Sequence, residues 1–89
     1  VIHFDNGTSD YYTVIDIQTE DRMGLLFIIS QTLAELNLDI AIAKVCTEKG
    51  AAIDSFYVSQ ANNRKIEGTE YQCFISDKVK TAITGLDPG

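Results

Sequence analysis

Residues 40 to 59 leave the chain few folding choices. Ile40 to Thr47 and Ala51 to Ser59 read as two strands with only Glu48-Lys49-Gly50 between them, and so short a gap joins strands only as an antiparallel hairpin. Tyr11 to Gln18 reads as a third strand, rich in aromatic and β-branched residues. Alternation puts Thr13, Ile15 and Ile17 on one of its faces and Tyr12, Val14 and Asp16 on the other, so one face is expected to be buried. Val1 to Phe4 is a short fourth strand. The turn formers Asp5 to Asp10 follow it, and Asn6-Gly7 predicts a tight return that lays Val1 to Phe4 antiparallel to the third strand.

Two helices complete the pattern. From Leu25 to Leu36, apolar residues at 25, 26, 29, 33 and 36 form an amphipathic stripe, with Phe27 and Ile28 off it, and Asn37 is suited to the left-handed stop. Beyond Gly68, residues Ile75, Val79, Ala82, Ile83 and Leu86 recur at helical spacing. A cap is expected near Thr69 or Ser76, and Asp87-Pro88-Gly89 is expected to end the helix. The order ββαββα, with a four-stranded antiparallel sheet and two helices on one face, is an α+β sandwich of ferredoxin-like type.

Size and charge narrow the function. The 89 residues make one domain, and their 26 Val, Ile, Leu and Phe side chains suffice for one thin two-layer core. Seven basic against thirteen acidic residues give a net charge of −6, which repels nucleic acid and anionic membrane surfaces. No apolar run reaches the ~18 residues of a membrane span and no signal peptide is visible, so a cytoplasmic chain is expected. The first residue is Val1 rather than Met, inside an apolar segment, which reads as a piece of a longer polypeptide. Cys46 and Cys73 lack the spacing of a zinc or redox motif and read as buried packing thiols. His3 has no metal-type neighbour at helical or strand spacing, the carboxylates are scattered, and no phosphate-binding or nucleophile motif is present. No metal, cofactor or turnover is expected of these residues.

One segment carries binding chemistry. Asp21-Arg22-Met23-Gly24-Leu25-Leu26 joins a buried strand to the first helix. A helix start offers unpaired N–H groups and about half a positive charge to a ligand carboxylate. Gly24 permits close approach and Asp21 can meet an ammonium, a combination that suits a free amino acid. The plainer alternative is that Asp21 caps the helix, Arg22 is a solvated charge, and Leu25 and Leu26 are core.

With Ala34 to Ile40, Ala43-Lys44 and Asp54-Ser55-Phe56-Tyr57-Val58, this loop resembles the ACT domain, the amino-acid-sensing module of metabolic enzymes. The resemblance covers nearly the whole chain. It is most similar to the version repeated at the C-terminus of bacterial uridylyltransferases that modify the PII nitrogen-signal protein, through Asp5-Asn6, Tyr12 to Ile15 and the D-x-F-Y-V stretch. Val1 to Phe4 then replaces the last strand of the usual βαββαβ order. The resemblance implies a regulatory domain without catalysis, an amino acid effector (glutamine first), and a homodimer or ACT–ACT pair. It implies binding residues Asp21, Arg22, Met23, Gly24, Leu25 and Leu26 on one wall, with Asp39 and Ile40 on the other, often across a dimer interface. Met23 stands where the family usually has proline, and Asp39 where it often has asparagine.

Three competing readings carry different expectations. A ligand-free association module would use the same exposed surfaces. An RNA-binding ferredoxin-like domain would stack bases on Phe56 and Tyr57, but the basic glycine-aromatic signature is missing. An acylphosphatase-like enzyme needs a phosphate-cradling loop that the sequence lacks.

Overall fold

A computed structural model describes residues 1–86, so the expected stop at Asp87-Pro88-Gly89 lies outside the described residues. The elements are β1 (Ile2–Asp5), β2 (Thr13–Glu20), α1 (Leu25–Glu35), β3 (Leu38–Glu48), β4 (Ala51–Gln60) and α2 (Thr69–Thr84). They form one antiparallel sheet in the order β1-β2-β4-β3, which is the expected ββαββα ferredoxin-like arrangement. β1 lies beside β2 with Ile2 opposite Ile17 and Phe4 opposite Ile15, so the N-terminal strand does fill an edge position.

The two hairpins behave differently. Lys49 and Gly50, with φ of 52° and 81°, make a two-residue turn between Glu48 and Ala51, and two left-handed residues in sequence match the twist of paired strands. Asn6-Gly7 makes no such turn. Asp5 pairs with Val14, leaving a loop of several residues, and Gly7 has no positive φ. The loop is shaped by Asp5, whose carboxylate accepts from the Gly7 N–H (2.7 Å) and the Thr8 hydroxyl (2.6 Å). The Asn6 amide is committed elsewhere. It donates to the Ile66 carbonyl (2.9 Å) and accepts from the Thr13 hydroxyl (2.5 Å), which itself accepts from the Ile66 N–H (2.8 Å). Lys65 adds its ammonium to the Asn6 carbonyl (2.9 Å) and the Ser9 carbonyl. Together these contacts bolt the β1–β2 loop to the segment before α2 and place Ile66 in the core.

Ile15, Ile17, Phe56 and Val58 from the sheet meet Leu25, Ile29 and Leu33 of α1 and Ile75 and Val79 of α2. The expected stripe holds except at Leu26, which is 41% exposed. Phe27 is exposed, whereas Ile28, expected off the stripe, packs partly against the core. Asn37 takes the left-handed conformation, φ 61°, that ends α1. Gly68 precedes α2 without any side-chain cap, so neither Thr69 nor Ser76 serves as one.

β3 is the least covered element. It is an edge strand of 11 residues, buried only at Leu38 and half-buried only at Ile40. Ile42 and Val45 are therefore about half exposed. Cys46 is exposed for the same reason, and Cys73 lies on the outer side of α2, which corrects the expectation of buried thiols.

Candidate functional site

Strand β2 ends at Glu20 opposite Ala51, and the chain crosses in four residues to α1. The crossing is tied to the β3–β4 turn by the Asp21 N–H, which donates to the Gly50 carbonyl (3.0 Å). Gly24 is the N-cap, with φ 79° and ψ 4°, and no side chain caps the helix. Asp21 is thus free of the capping role that the plainer reading gave it. The Leu25 N–H turns back to the Arg22 carbonyl (3.1 Å), and the first helical bond runs from the Ile28 N–H to the Gly24 carbonyl (2.9 Å). That leaves the Leu26 and Phe27 amides at the open end of the helix dipole, with no acidic residue in the first turn to satisfy them.

The loop side chains divide by exposure. Asp21, Met23 and Gly24 are exposed, Met23 at 96%. Leu25 is buried. Arg22 is half-buried and reaches Glu20 at 3.5 Å, a surface pair worth about 0–1 kcal/mol. A cleft of about 510 Å³ opens beside the loop, between β1, β2 and the end of α2. Ile2, Ile17, Ile83 and Leu86 give it apolar walls and Arg22 and Lys80 supply cations. Its size is that of a small-molecule site.

Asp39 and Ile40 do not join the loop within one chain. Asp39 is opposite Ser59 and Ile40 opposite Val58, whereas the loop leaves the sheet at the Glu20–Ala51–Glu48 end. At ~3.3 Å per residue the two places are roughly 25 Å apart. The expected second wall is therefore at the far end of the same sheet.

One charged residue near the loop carries the family resemblance but was not expected at the site. Asp54 lies on the helix-facing side of β4, level with Ile17 and Val45, and is 1% exposed. Its Oδ1 has no hydrogen-bond partner among the described residues. Burial pushes its carboxyl above the ordinary carboxylate range, and the nearby charge of Asp21 adds to the effect. Period-two spacing with Phe56 and Val58 was the available signal, since a carboxylate in phase with two core residues must face the core. Among the described residues, no three His, Cys, Asp or Glu side chains converge into a metal site. No helix among them is long and apolar enough to cross a membrane.

This arrangement is suited to holding a small zwitterion, with backbone donors at a helix end and carboxylates close by. Comparison with known proteins gives a consistent family. Residues 1–86 match the family described as ACR9-like, ACT-like domain. The chain is 40% identical over 82 residues to a bifunctional uridylyltransferase/uridylyl-removing enzyme of Cereibacter sphaeroides, covering 92% of this chain and 9% of that protein. It is also 40% identical over 83 residues to the protein of the same description from Ruegeria pomeroyi, covering 93% of this chain and 9% of the relative. The chain thus corresponds to a small part of these relatives and, with its ββαββα fold, belongs to the ACT-like domain family.

Proposed function

We propose that this regulatory domain binds a free amino acid, glutamine first, at the Asp21–Leu26 loop and reports it to a nitrogen-metabolism enzyme of the uridylyltransferase/uridylyl-removing kind. The observation that carries the reading is the uncapped start of α1 with left-handed Gly24 at its N-cap. The effector's carboxylate takes the Leu26 and Phe27 amides, and its ammonium lies toward Asp21. The relatives' description supports this choice of enzyme, and the ACT-like match supports the regulatory role. This fragment has no turnover in the reading.

A second copy completes the site. β3 presents an unpaired backbone edge with Ile42 and Val45 half exposed, and such edges invite pairing. If two β3 strands pair antiparallel about Ala43, Asp39 of one copy sits opposite Thr47 of the other, at the sheet end where the loop leaves. That brings Asp39 and Ile40 of the second copy to the loop of the first. The same edge favours the ligand-free association module as the second reading.

Calorimetry with a panel of amino acids separates the two. The effector reading expects saturable heat at up to millimolar concentration, strongest for glutamine. It also expects a loss of about one to two orders of magnitude in Asp21→Ala, the equivalent of a charge-assisted bond of roughly 1.5 to 3 kcal/mol. A folded, dimeric wild type that gives no heat with any amino acid overturns it and leaves the association module.

A further inference from the structure

Asp54 is the group that the reading above does not use, and it calls for an explanation. A carboxylate 1% exposed with an unpartnered oxygen is rare in a folded core, where buried polar atoms find partners. It is placed three residues in from the end of β4 at Ala51, on the side covered by the helices. That is the end of the sheet from which α1 starts. Its neighbours on the same rung, Ile17 and Val45, offer no hydrogen bond.

We infer that Asp54 accepts the effector's ammonium group, so that the amino acid is held between this buried carboxylate and the open amides of Leu26 and Phe27. The inference rests on the amino-acid reading and adds a residue to it. Asp54, buried three residues in from the sheet end at Ala51, and Asp21, exposed in the loop that leaves that end for α1, lie near enough for the charge of one to bear on the other. Arg22, the nearest cation in the loop sequence, is turned to Glu20. The place is therefore short of one positive charge, and Asp54 Oδ1 of a donor, and an ammonium supplies both. A metal ion is a poorer fit, since no third ligand converges there among the described residues. Asp54 is closed over in this structure, so the ammonium enters with a shift of the uncapped first turn of α1, where Leu26 is already partly exposed. Asp21 then forms the outer, hydrated half of the cation site.

The test pairs Asp54→Asn with a ligand that lacks the ammonium. Glutamine and 4-carbamoylbutanoate, which is glutamine without its α-amino group, are titrated into wild type and variant. The wild type is expected to prefer glutamine at least tenfold, and Asp54→Asn to lose most of that preference while its melting temperature at neutral pH holds or rises. A purely structural Asp54 would give the opposite pair of results. If Asp54→Asn keeps the wild-type preference, the ammonium role is wrong and amino acid sensing stands. If Asp54→Asn melts well below the wild type, Asp54 has a structural partner and the inference is equally wrong. If the wild type binds neither compound, glutamine is not the effector and this inference falls, while the amino acid panel decides the sensing reading itself.

Discussion

Replacing Thr13 by valine isolates the contact that holds β1 and its loop in place. The side chain is fully buried, and its hydroxyl accepts from the Ile66 N–H at 2.8 Å while donating to Asn6 Oδ1 at 2.5 Å. Valine keeps the shape and removes both bonds. The Ile66 N–H is then a buried orphan, which costs about 1–3 kcal/mol, whereas the half-buried Asn6 oxygen can turn to water. A net loss of about 2 kcal/mol lowers the melting temperature by roughly 8–16 °C in a domain of this size. Thr13→Ser is the control, because it keeps the hydroxyl and loses one methyl, worth about 1 kcal/mol. Thermal unfolding followed by circular dichroism should rank wild type above serine and serine above valine. A valine variant as stable as the serine variant would refute the bolt and reduce the β1–β2 loop to passive packing.

Other expectations follow from single residues. Gly24→Ala should destabilise by about 1–2 kcal/mol in urea unfolding through its left-handed backbone, since the nearest atom to an added Cβ is Leu86 Cδ2 at 4.0 Å. An unchanged midpoint would contradict the φ of 79°. Because folding raises the pKa of Asp54, the folded state holds that proton more tightly than the unfolded chain. The resulting stabilisation is complete below the ordinary carboxyl range and is lost as pH rises through the raised value. Melting temperatures of wild type should therefore fall relative to Asp54→Asn as pH rises above the ordinary carboxyl range, and parallel curves would contradict this. Asp5 has the opposite sign: the Thr8 hydroxyl and the Gly7 N–H lower its pKa, so its contribution is lost as pH falls through that lowered value. Cys46 and Cys73 should both react freely with a thiol reagent at low protein concentration, and Cys46 on β3 should become protected as β3 edges pair. Equal protection of both thiols at all concentrations would rule out that pairing.

The fold was legible where local chemistry and tertiary demand agree. Lys49-Gly50 and Asn37 need left-handed backbone, and the spacing of Leu25, Ile29 and Leu33 needs a helix. Asn6-Gly7 misled because the Asn6 amide is claimed by Ile66 and Thr13, residues 60 and 7 positions away. Leu26 was misplaced because periodicity gives a face but not how far neighbouring elements reach over it. The cysteines were misplaced because their burial was inferred from residue type alone, whereas Cys46 stands on the poorly covered edge strand β3 and Cys73 on the outer side of α2. The loop Asp21–Leu26 was visible as a helix entry. The separation of Asp39 from it was not, because which end of the sheet a residue occupies depends on strand order. Asp54 was readable in principle from its phase with Phe56 and Val58, yet its lack of a partner is a property of packing alone.

The central claim is that a free amino acid docks at the start of α1. Titrating glutamine into the isotope-labelled domain and following backbone amide resonances tests it most directly. Docking there gives saturable shifts centred on Gly24, Leu26 and Phe27, with smaller ones at Asp54 and the Lys49-Gly50 turn, to which Asp21 is hydrogen-bonded. Unmoved resonances at Leu26 and Phe27 up to millimolar glutamine and the other amino acids, in a folded domain, would contradict it.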